Sequence, residues 1–176
     1  MQLRNFHLPV LFTFFLLLTA CATTDDGAYV APISISEKIG GQWSAISVKQ
    51  TDELAKAAGE AVSDLGLSRQ FSFISFSINF GTDAKNNPTS YTVTGDAPAL
   101  IPANGYWGML NLYPNTDTSP NEIYLYADQA KTKKTATLTL SSVPGLLDVF
   151  EFKLTRKSNG VAFVSYTYRL CKVNND

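Results

Sequence analysis

Hydrophobic and polar residues alternate along most of the chain after residue 40. Near the C-terminus, Tyr166, Tyr168 and Leu170 share one face of an extended segment, and the polar residues between them share the other. Alternation with one apolar face is typical of half-buried antiparallel strands. The clearest predicted strands are residues 135–140, 149–156 and 161–171.

Shorter apolar runs predict five further strands, and one segment has the spacing of a helix. Between Asp52 and Leu65, apolar residues recur every three or four positions, as on the buried face of an amphipathic helix. Thr51 or Asp52 can cap the start of this helix, and Gly66 can end it. The further strands are predicted at residues 42–49, 70–80, 89–94, 106–113 and 122–127.

Eight strands, with one short helix between strands 1 and 2, predict an all-β domain. Sequential antiparallel strands with short connections, such as Asn159-Gly160 between the last two, can close into an up-and-down barrel. Closure removes the edges that an open sheet would expose. A sandwich is the competing architecture, but it usually needs longer crossover connections. We therefore favour an eight-stranded antiparallel up-and-down barrel.

The N-terminus has a different pattern. Arg4 is followed by an apolar run from Leu8 to Leu18, and small residues precede Cys21. This is the three-part pattern of an export signal, and the run is shorter than the roughly 20 residues that span a bilayer. The tetrapeptide Leu18-Thr19-Ala20-Cys21 resembles a bacterial lipobox, at which the leader is cleaved and the new N-terminal Cys receives lipid. An ordinary secretory peptide, cut near the same position, is the alternative.

The lipobox resemblance implies a domain organisation and a location. Residues 1–20 are the signal peptide, residues 21–38 are the lipidated N-terminus and a flexible tether, and residues 39–173 are the barrel domain. Ala22, rather than Asp, follows the Cys, and by resemblance to enteric bacterial lipoproteins this implies the outer membrane. Asp25-Asp26 is similar to the acidic clusters that accompany surface display in some gut-type Gram-negative bacteria. Both the periplasmic and the cell-surface face stay open.

Composition removes several classes of function. The formal net charge is −1 at pH 7, which argues against electrostatic binding of nucleic acid. The single His, His7, lies in the predicted leader, so no His-dependent nucleophile or metal site is expected in the mature chain. The acidic residues are scattered, and no pair suits glycoside hydrolysis. We therefore expect no catalytic residues, no cofactor and no metal.

A second resemblance concerns the barrel itself. Gly41-Gln42-Trp43 opens the first predicted strand, and Arg169 lies near the end of the last. This arrangement is similar to the lipocalin pattern, which implies that Arg169 packs over Trp43 and closes the barrel base through a cation–π contact of about 0.5–2 kcal/mol. From about Ile39 to Lys172, the chain resembles the lipocalin-like lipoproteins of unknown function of gut-type Gram-negative bacteria. Lipocalins usually carry their helix after the barrel, and here the helix follows strand 1.

Three aromatic residues are candidate ligand contacts. Tyr166 and Tyr168 are expected to point into the barrel, and Trp107 ends a second Gly-x-Trp triplet, Gly105-Tyr106-Trp107. Polar tips in a mostly apolar pocket commonly orient a ligand. We therefore expect an outer-membrane lipoprotein that binds a small apolar or amphipathic ligand, or a glycan. Because an eight-stranded barrel can also be filled by its own side chains, the alternative is a structural or accessory subunit that docks a membrane-bound protein through its barrel surface.

Overall fold

The computed structural model describes residues 27–68, 71–96, 98, 100–117, 119–145 and 147–173. The predicted leader and Cys21 therefore lie outside the described residues, as does the first part of the predicted tether. Within the described part, the helices and strands belong to the compact unit Ile33–Asp176. No helix among the described residues is long and apolar enough to cross a bilayer.

Strands dominate the described part of the chain, as the alternation predicts. The strands are β1 (Gly41–Asp52), β2 (Asp64–Gly66), β3 (Ser77–Thr82), β4 (Pro88–Thr94), β5 (Asn104–Met109), β6 (Glu122–Tyr126), β7 (Lys134–Ser142), β8 (Val149–Ser158) and β9 (Val161–Lys172). Two short α-helices and one 3-10 turn accompany them, namely α1 (Ile35–Ile39), α2 (Glu53–Ala57) and the 3-10 turn Phe73–Ser75.

Eight of these strands form a closed antiparallel barrel. From β3 to β9, strands that are consecutive in sequence are neighbours in the sheet, and β1 pairs with both β3 and β9. The last strand thus returns to the first, with Ala45 opposite Leu170 and Gln50 opposite Tyr166. The three-residue β2 adds to β1 outside the closed ring. This confirms the predicted up-and-down barrel, with a short helix between its first two strands.

The segment after β1 is less helical than its apolar spacing predicts. The spacing predicts a helix over residues 52–65, but α2 is only five residues long. Gly59 adopts a left-handed conformation (φ +75°), which interrupts the helix. The Asp64 carboxylate then accepts hydrogen bonds from Lys49 (2.7 Å) and Thr51 (2.6 Å) of β1. These contacts hold the following residues in the sheet as β2.

Two predicted strands are shorter than expected. The strand predicted at residues 70–80 begins only at Ser77, because the 3-10 turn and a left-handed Ser72 (φ 55°) precede it. The strand predicted at residues 106–113 ends at Met109. Residues 70–76 and 110–113 contain apolar residues in alternation, so the pattern alone predicts strands where the chain forms a turn and a loop.

One end of the barrel is filled by aromatic side chains, and we call it the closed end. Trp43, Phe80, Trp107 and Phe150 are fully buried there. The ring centroids of Trp43 and Phe150 lie 5.4 Å apart, and those of Phe80 and Trp107 lie 5.0 Å apart. Complete burial of one such side chain contributes about 1.5–3 kcal/mol. The closed end is therefore a packed core without space for a ligand.

Helix α1 covers the closed end. Ile35 and Ile39 are 1% and 0% exposed, and the Trp43 indole N–H donates to the Ile39 carbonyl at 2.7 Å. Ser34 caps the helix by accepting a hydrogen bond from the Glu37 backbone N–H. The expectation that the flexible tether extends to residue 38 is therefore wrong, because residues 35–38 pack on the barrel as α1.

Candidate functional site

Trp43 and Arg169 lie on opposite faces of the barrel wall. The register pairs Trp43 with Lys172 and Ser47 with Arg169, and directly opposed residues share a face. Arg169 is exposed, whereas Trp43 is fully buried. The cation over the Trp43 ring belongs to Lys172, whose Nζ lies 5.7 Å from the ring centroid. The prediction that Arg169 packs over Trp43 is therefore wrong. Arg169 lies three positions before Lys172, and strand residues an odd number of positions apart point to opposite faces.

Trp107 is a core residue and not the ligand contact that the sequence predicts. Its side chain is 0% exposed, and its indole N–H donates to the Gly81 carbonyl at 2.7 Å. Phe80 packs edge-on against its ring. Because its polar atom has a partner and its ring is covered by protein, Trp107 offers nothing to a ligand.

The two predicted tyrosine contacts lie in different surroundings. Tyr168 is fully buried between Phe76 and Phe152, with ring centroids 5.0 and 4.9 Å away. Burial raises the pKa of the Tyr168 phenol, whose hydroxyl has no hydrogen-bond partner among the described residues. Tyr166 is half-buried and lines a hollow of about 190 Å³ beside Leu67. Of the three predicted contacts, Tyr166 is the one that lines this hollow. The hollow is smaller than the ~300 Å³ at the lower end of the range for ligand pockets.

The sheet is open between β7 and β8 over the halves that lie farthest from the closed end. Their register covers only Thr139–Ser142 of β7 and Glu151–Lys153 of β8. Before Thr139, the described residues of β7 pair with β6 alone, and after Lys153 those of β8 pair with β9 alone. Because a closed barrel normally has a continuous ladder of hydrogen bonds, two unpaired strand edges face each other here.

Alternation identifies the backbone groups that point into this opening. The Leu140 N–H donates to the Asn121 carbonyl on the β6 side at 2.8 Å, so the peptide groups of Thr139 face β8. The same orientation recurs every two residues along an antiparallel strand. Thr137 of β7 and Thr155 of β8 therefore direct their N–H and C=O groups towards each other, beyond the last pair of the ladder.

The opening widens into a cavity of about 520 Å³, which we call the β7–β8 cleft. Its size falls within the range of roughly 300–1,000 Å³ that is typical of ligand pockets. Hydroxyl groups, apolar side chains and charged side chains all contribute to the wall. The lining residues are Thr135, Thr137, Thr139, Thr155, Leu100, Ala136, Leu154, Glu122, Arg156 and Lys157.

Opposite charges mark the two ends of the cleft. Arg156 and Lys157 lie near the end of β8, at the mouth, and both are exposed. Glu122 lies at the inner end, where the ladder resumes, and accepts a hydrogen bond from the Tyr124 hydroxyl at 2.9 Å. That hydrogen bond raises the pKa of the Tyr124 phenol. The two salt bridges in the described part of the chain use other lysines, so Arg156 and Lys157 have no carboxylate partner there.

Comparison with known families places the chain in one of them. Residues 19–171 match the family described as Domain of unknown function (DUF5004). The chain belongs to this family. A search of curated proteins found no match, and a search of solved structures found none either. The matched region covers nearly the whole barrel of this DUF5004 chain, including every residue of the β7–β8 cleft.

The threonines of the cleft carried no distinct signal in the sequence of this DUF5004 chain. Thr135, Thr137 and Thr139 occupy the outward positions of a strand, where polar residues are ordinary. Threonine also has a high strand propensity, so three in alternation fit any half-buried strand. These threonines line a cavity only because the pairing between β7 and β8 stops before it reaches Thr155.

The polar residues of the turns support the backbone. Asp83 accepts hydrogen bonds from the side chain and the backbone N–H of Asn87 (2.9 Å each) and from the Lys85 N–H (2.8 Å). These hydrogen bonds, with the Asn87 side chain first, lower the pKa of Asp83. Within the described ranges, no group of three or more His, Cys, Asp or Glu side chains converges on a point where a metal ion could bind.

Proposed function

We propose that this DUF5004 chain is a lipid-anchored, non-catalytic binding protein that holds a small amphipathic ligand or a glycan in the β7–β8 cleft. The observation that carries the proposal is a cavity of about 520 Å³ between two unpaired strand edges of an otherwise closed barrel. The closed end is filled by aromatic side chains, and a second hollow of about 470 Å³ lies along the loop after β5, so within the barrel wall the room for a ligand of ordinary size is at the cleft.

The chemistry of the wall favours a ligand with polar groups. The hydroxyls of Thr137 and Thr155 and the peptide groups of the same residues point towards the cleft, while Leu154 and Ala136 supply apolar surface. A purely apolar ligand would leave these peptide groups unpaired, at a cost of about 1–3 kcal/mol each. An amphipathic molecule or a glycan can satisfy them and still cover the apolar side chains.

The anchor forms the second part of the proposal. Cleavage at the lipobox would leave Cys21 as the lipidated N-terminus of a lipocalin-like lipoprotein in the outer membrane. Each acyl methylene buried in the bilayer contributes about 0.8 kcal/mol, so several chains hold a protein on the membrane almost permanently. We expect Cys21→Ala to release the protein from the membrane fraction. A variant that still sediments with outer membranes would contradict the anchor.

Ligand binding can be tested on protein purified from its own host membranes. Native mass spectrometry should detect a retained mass, and Thr137→Val combined with Thr155→Val should reduce its occupancy several-fold, because both hydroxyls are lost without a change of shape. Thr92→Val is the matched control, since Thr92 is an exposed strand residue of β4 outside the cleft. Equal occupancy in all three proteins would exclude the cleft as the binding site.

Docking to a membrane-bound protein is the second candidate function. Its support is the loop after β5, where Leu110 is 78% exposed and Tyr113 is 48% exposed. Large apolar side chains on a loop can serve as anchors in a protein interface. If docking is the function, Leu110→Asp with Tyr113→Asp should abolish a crosslinked complex in intact cells. The cleft variants should leave that complex unchanged.

A further inference from the structure

The charges at the mouth of the β7–β8 cleft indicate the class of ligand. We infer that the cleft binds an anionic ligand, whose carboxylate is held by Arg156 and Lys157 at the mouth. The inference rests on the proposed function of the cleft as a binding site. It adds that the ligand is negatively charged, and that its charged end lies at the mouth of the cleft.

Both basic side chains reach the same cavity because the cleft opens at a strand edge. The consecutive residues Leu154–Lys157 all line it, so both faces of β8 contribute. A β-bulge accompanies Arg156 and Lys157. The register with β9 shifts between them, because Arg156 pairs with Val164 and Lys157 pairs with Ala162. The extra residue on β9 is Phe163. Bulges of this kind re-aim side chains and are frequent beside functional sites.

The guanidinium group of Arg156 is ordered by an aromatic ring of β9 without being neutralised. The Cζ atom of Arg156 lies 5.5 Å from the centroid of the Phe163 ring. Such cation–π stacking limits the motion of the side chain but leaves its N–H groups available to a ligand. Of the described carboxylates, none lies within salt-bridge distance of Arg156 or Lys157. Two cations without a carboxylate partner therefore line the same cavity, which is an arrangement that suits a carboxylate.

Further positive charge surrounds the mouth. Lys133 precedes β7 and Lys134 begins it, and both are exposed at the same end of the barrel as the end of β8. The Lys134 Nζ lies 4.6 Å from the centroid of the Tyr124 ring on the neighbouring β6. The whole chain has a formal charge of −1, so this concentration of cations is local. A local positive field attracts anions to the mouth and raises their rate of association.

The inner end of the cleft sets the orientation of the ligand. Glu122 lines that end and repels a carboxylate. The hydroxyls of Thr137 and Thr139 and the side chain of Leu154 offer a neutral, partly apolar surface between the two ends. The ligand therefore has its charge at the mouth and its neutral portion towards Glu122. A glycan that ends in a single uronic acid and a fatty acid share this chemistry.

The test compares acids with their neutral counterparts. Mature protein from host membranes is reconstituted in phosphatidylcholine nanodiscs and titrated with an aldobiouronic acid (one glucuronic acid linked to a neutral sugar), its methyl ester, dodecanoate and dodecanol. Empty nanodiscs are the blank, and hexaglutamate is titrated separately. We expect at least one acid to bind about tenfold more tightly than its neutral counterpart, the equivalent of about 1.4 kcal/mol. Arg156→Gln with Lys157→Gln should remove that advantage, and higher salt should weaken it. The acid that binds identifies the source of the ligand.

Two variants make the test specific. Lys85→Gln removes one positive charge in the exposed turn between β3 and β4, away from the cleft, and it should change no affinity. Glu122→Gln removes the repulsion at the inner end and should raise the affinity for the acid by a few-fold. A shared fold is confirmed for each variant by its circular dichroism spectrum.

Three outcomes would overturn the inference. If each acid binds no better than its neutral counterpart, the ligand is not recognised by charge, while the cleft stays a binding site. If none of the four probes binds, both anion sources are excluded, and retention of a mass by native mass spectrometry decides separately whether the proposed function stands. If hexaglutamate binds more tightly than either acid, the occupant is an acidic polypeptide segment added to the strand edges.

Discussion

The two ends of this barrel differ in how completely their strands are paired and their interior is filled. At the closed end, the strands are paired, and Trp43, Phe80 and Phe150 fill the interior. In the opposite half, β7 and β8 separate, and the space between Thr137 and Thr155 forms the β7–β8 cleft. One end maximises burial and hydrogen bonding, and the other leaves both incomplete. The difference indicates that the closed end supplies the stability that allows the cleft to stay open.

The polar groups sharpen this contrast. At the closed end, both indole N–H groups are satisfied by backbone carbonyls, those of Ile39 and Gly81. Around the cleft, the facing strand edges are unpaired, and Arg156 and Lys157 have no carboxylate partner among the described residues. Unsatisfied groups cost stability in a core, but next to solvent they are available to a ligand. We therefore expect mutations at the two ends to separate into effects on folding and effects on binding.

Hydrogen exchange should give the largest contrast. In β8, the Leu154 N–H faces β9 within the ladder, whereas the Thr155 N–H faces the opening. We expect Leu154 to exchange with a free energy close to that of global unfolding, commonly about 5–15 kcal/mol, and Thr155 with a value close to zero. Amide exchange followed by NMR measures both in one experiment. Equal protection of the two amides would show that β7 and β8 are paired in solution.

Truncation of core side chains should have the next largest effect. Phe150→Ala removes a ring that packs against Trp43, Phe80 and Phe152, and we expect a loss of about 3–5 kcal/mol in the free energy of unfolding. Leu154→Ala, beside an existing cavity, should cost about 2 kcal/mol, at the low end for leucine. Urea denaturation of the full chain measures both. A larger loss for Leu154→Ala would reverse the proposed division between the two ends.

The ion pair on the outer surface should have a smaller, pH-dependent effect. Glu53 of α2 contacts Lys153 Nζ at 2.6 Å and accepts a hydrogen bond from the buried Ser165 at 2.5 Å. The hydrogen bond from Lys153, followed by that from Ser165, holds the pKa of Glu53 below its usual 4.5. Because the folded state favours the carboxylate, this stabilisation is complete above pH 4.5 and is lost as the pH falls through the folded pKa.

Glu53→Gln tests this dependence. We expect a loss of about 1 kcal/mol near pH 7, and a difference from the natural protein that shrinks as the pH falls below 4.5. Asp64→Asn in the exposed pair with Lys49 is the control and should cost less, since both partners are about half exposed. A difference that stays constant down to pH 3 would mean that the carboxylate of Glu53 is not the group that matters.

The smallest effect is expected at Tyr168. Its buried hydroxyl has no partner among the described residues, so Tyr168→Phe removes an unsatisfied group without creating a cavity. We expect a gain of up to about 1 kcal/mol in the free energy of unfolding, with unchanged ligand binding. Thermal denaturation measures the gain. A clear loss would reveal a partner for the hydroxyl and would return Tyr168 to the set of ligand contacts.

Much of the fold could be predicted from particular residues. Alternation through Phe150 and Phe152 gave the inward face of β8, and alternation through Tyr168 and Leu170 gave that of β9. The predicted helix is longer than α2, because the spacing of apolar residues carries no information about the hydrogen bonds between Asp64 and β1. Arg169 was assigned to Trp43 by resemblance, although the register gives that position to Lys172.

The site was largely beyond prediction. The sequence predicts three aromatic ligand contacts, Tyr166, Tyr168 and Trp107. Two of them, Tyr168 and Trp107, are fully buried. The residues that line the cleft are threonines and basic side chains, which look like ordinary outward strand positions. Their role depends on where one ladder stops, between Thr139 and Lys153, and a single sequence carries no record of that pairing.

The sequence by itself determined that the chain after residue 40 is a series of half-buried strands, because side-chain alternation is a local property with a period of two. It also determined that no histidine follows His7, and that the chain contains the lipobox-like Leu18-Thr19-Ala20-Cys21. The tertiary structure alone decided which residues share a surface. Register, the bulge beside Lys157 and the gap between β7 and β8 arise from contacts between distant segments, so the cleft exists only once the barrel has closed.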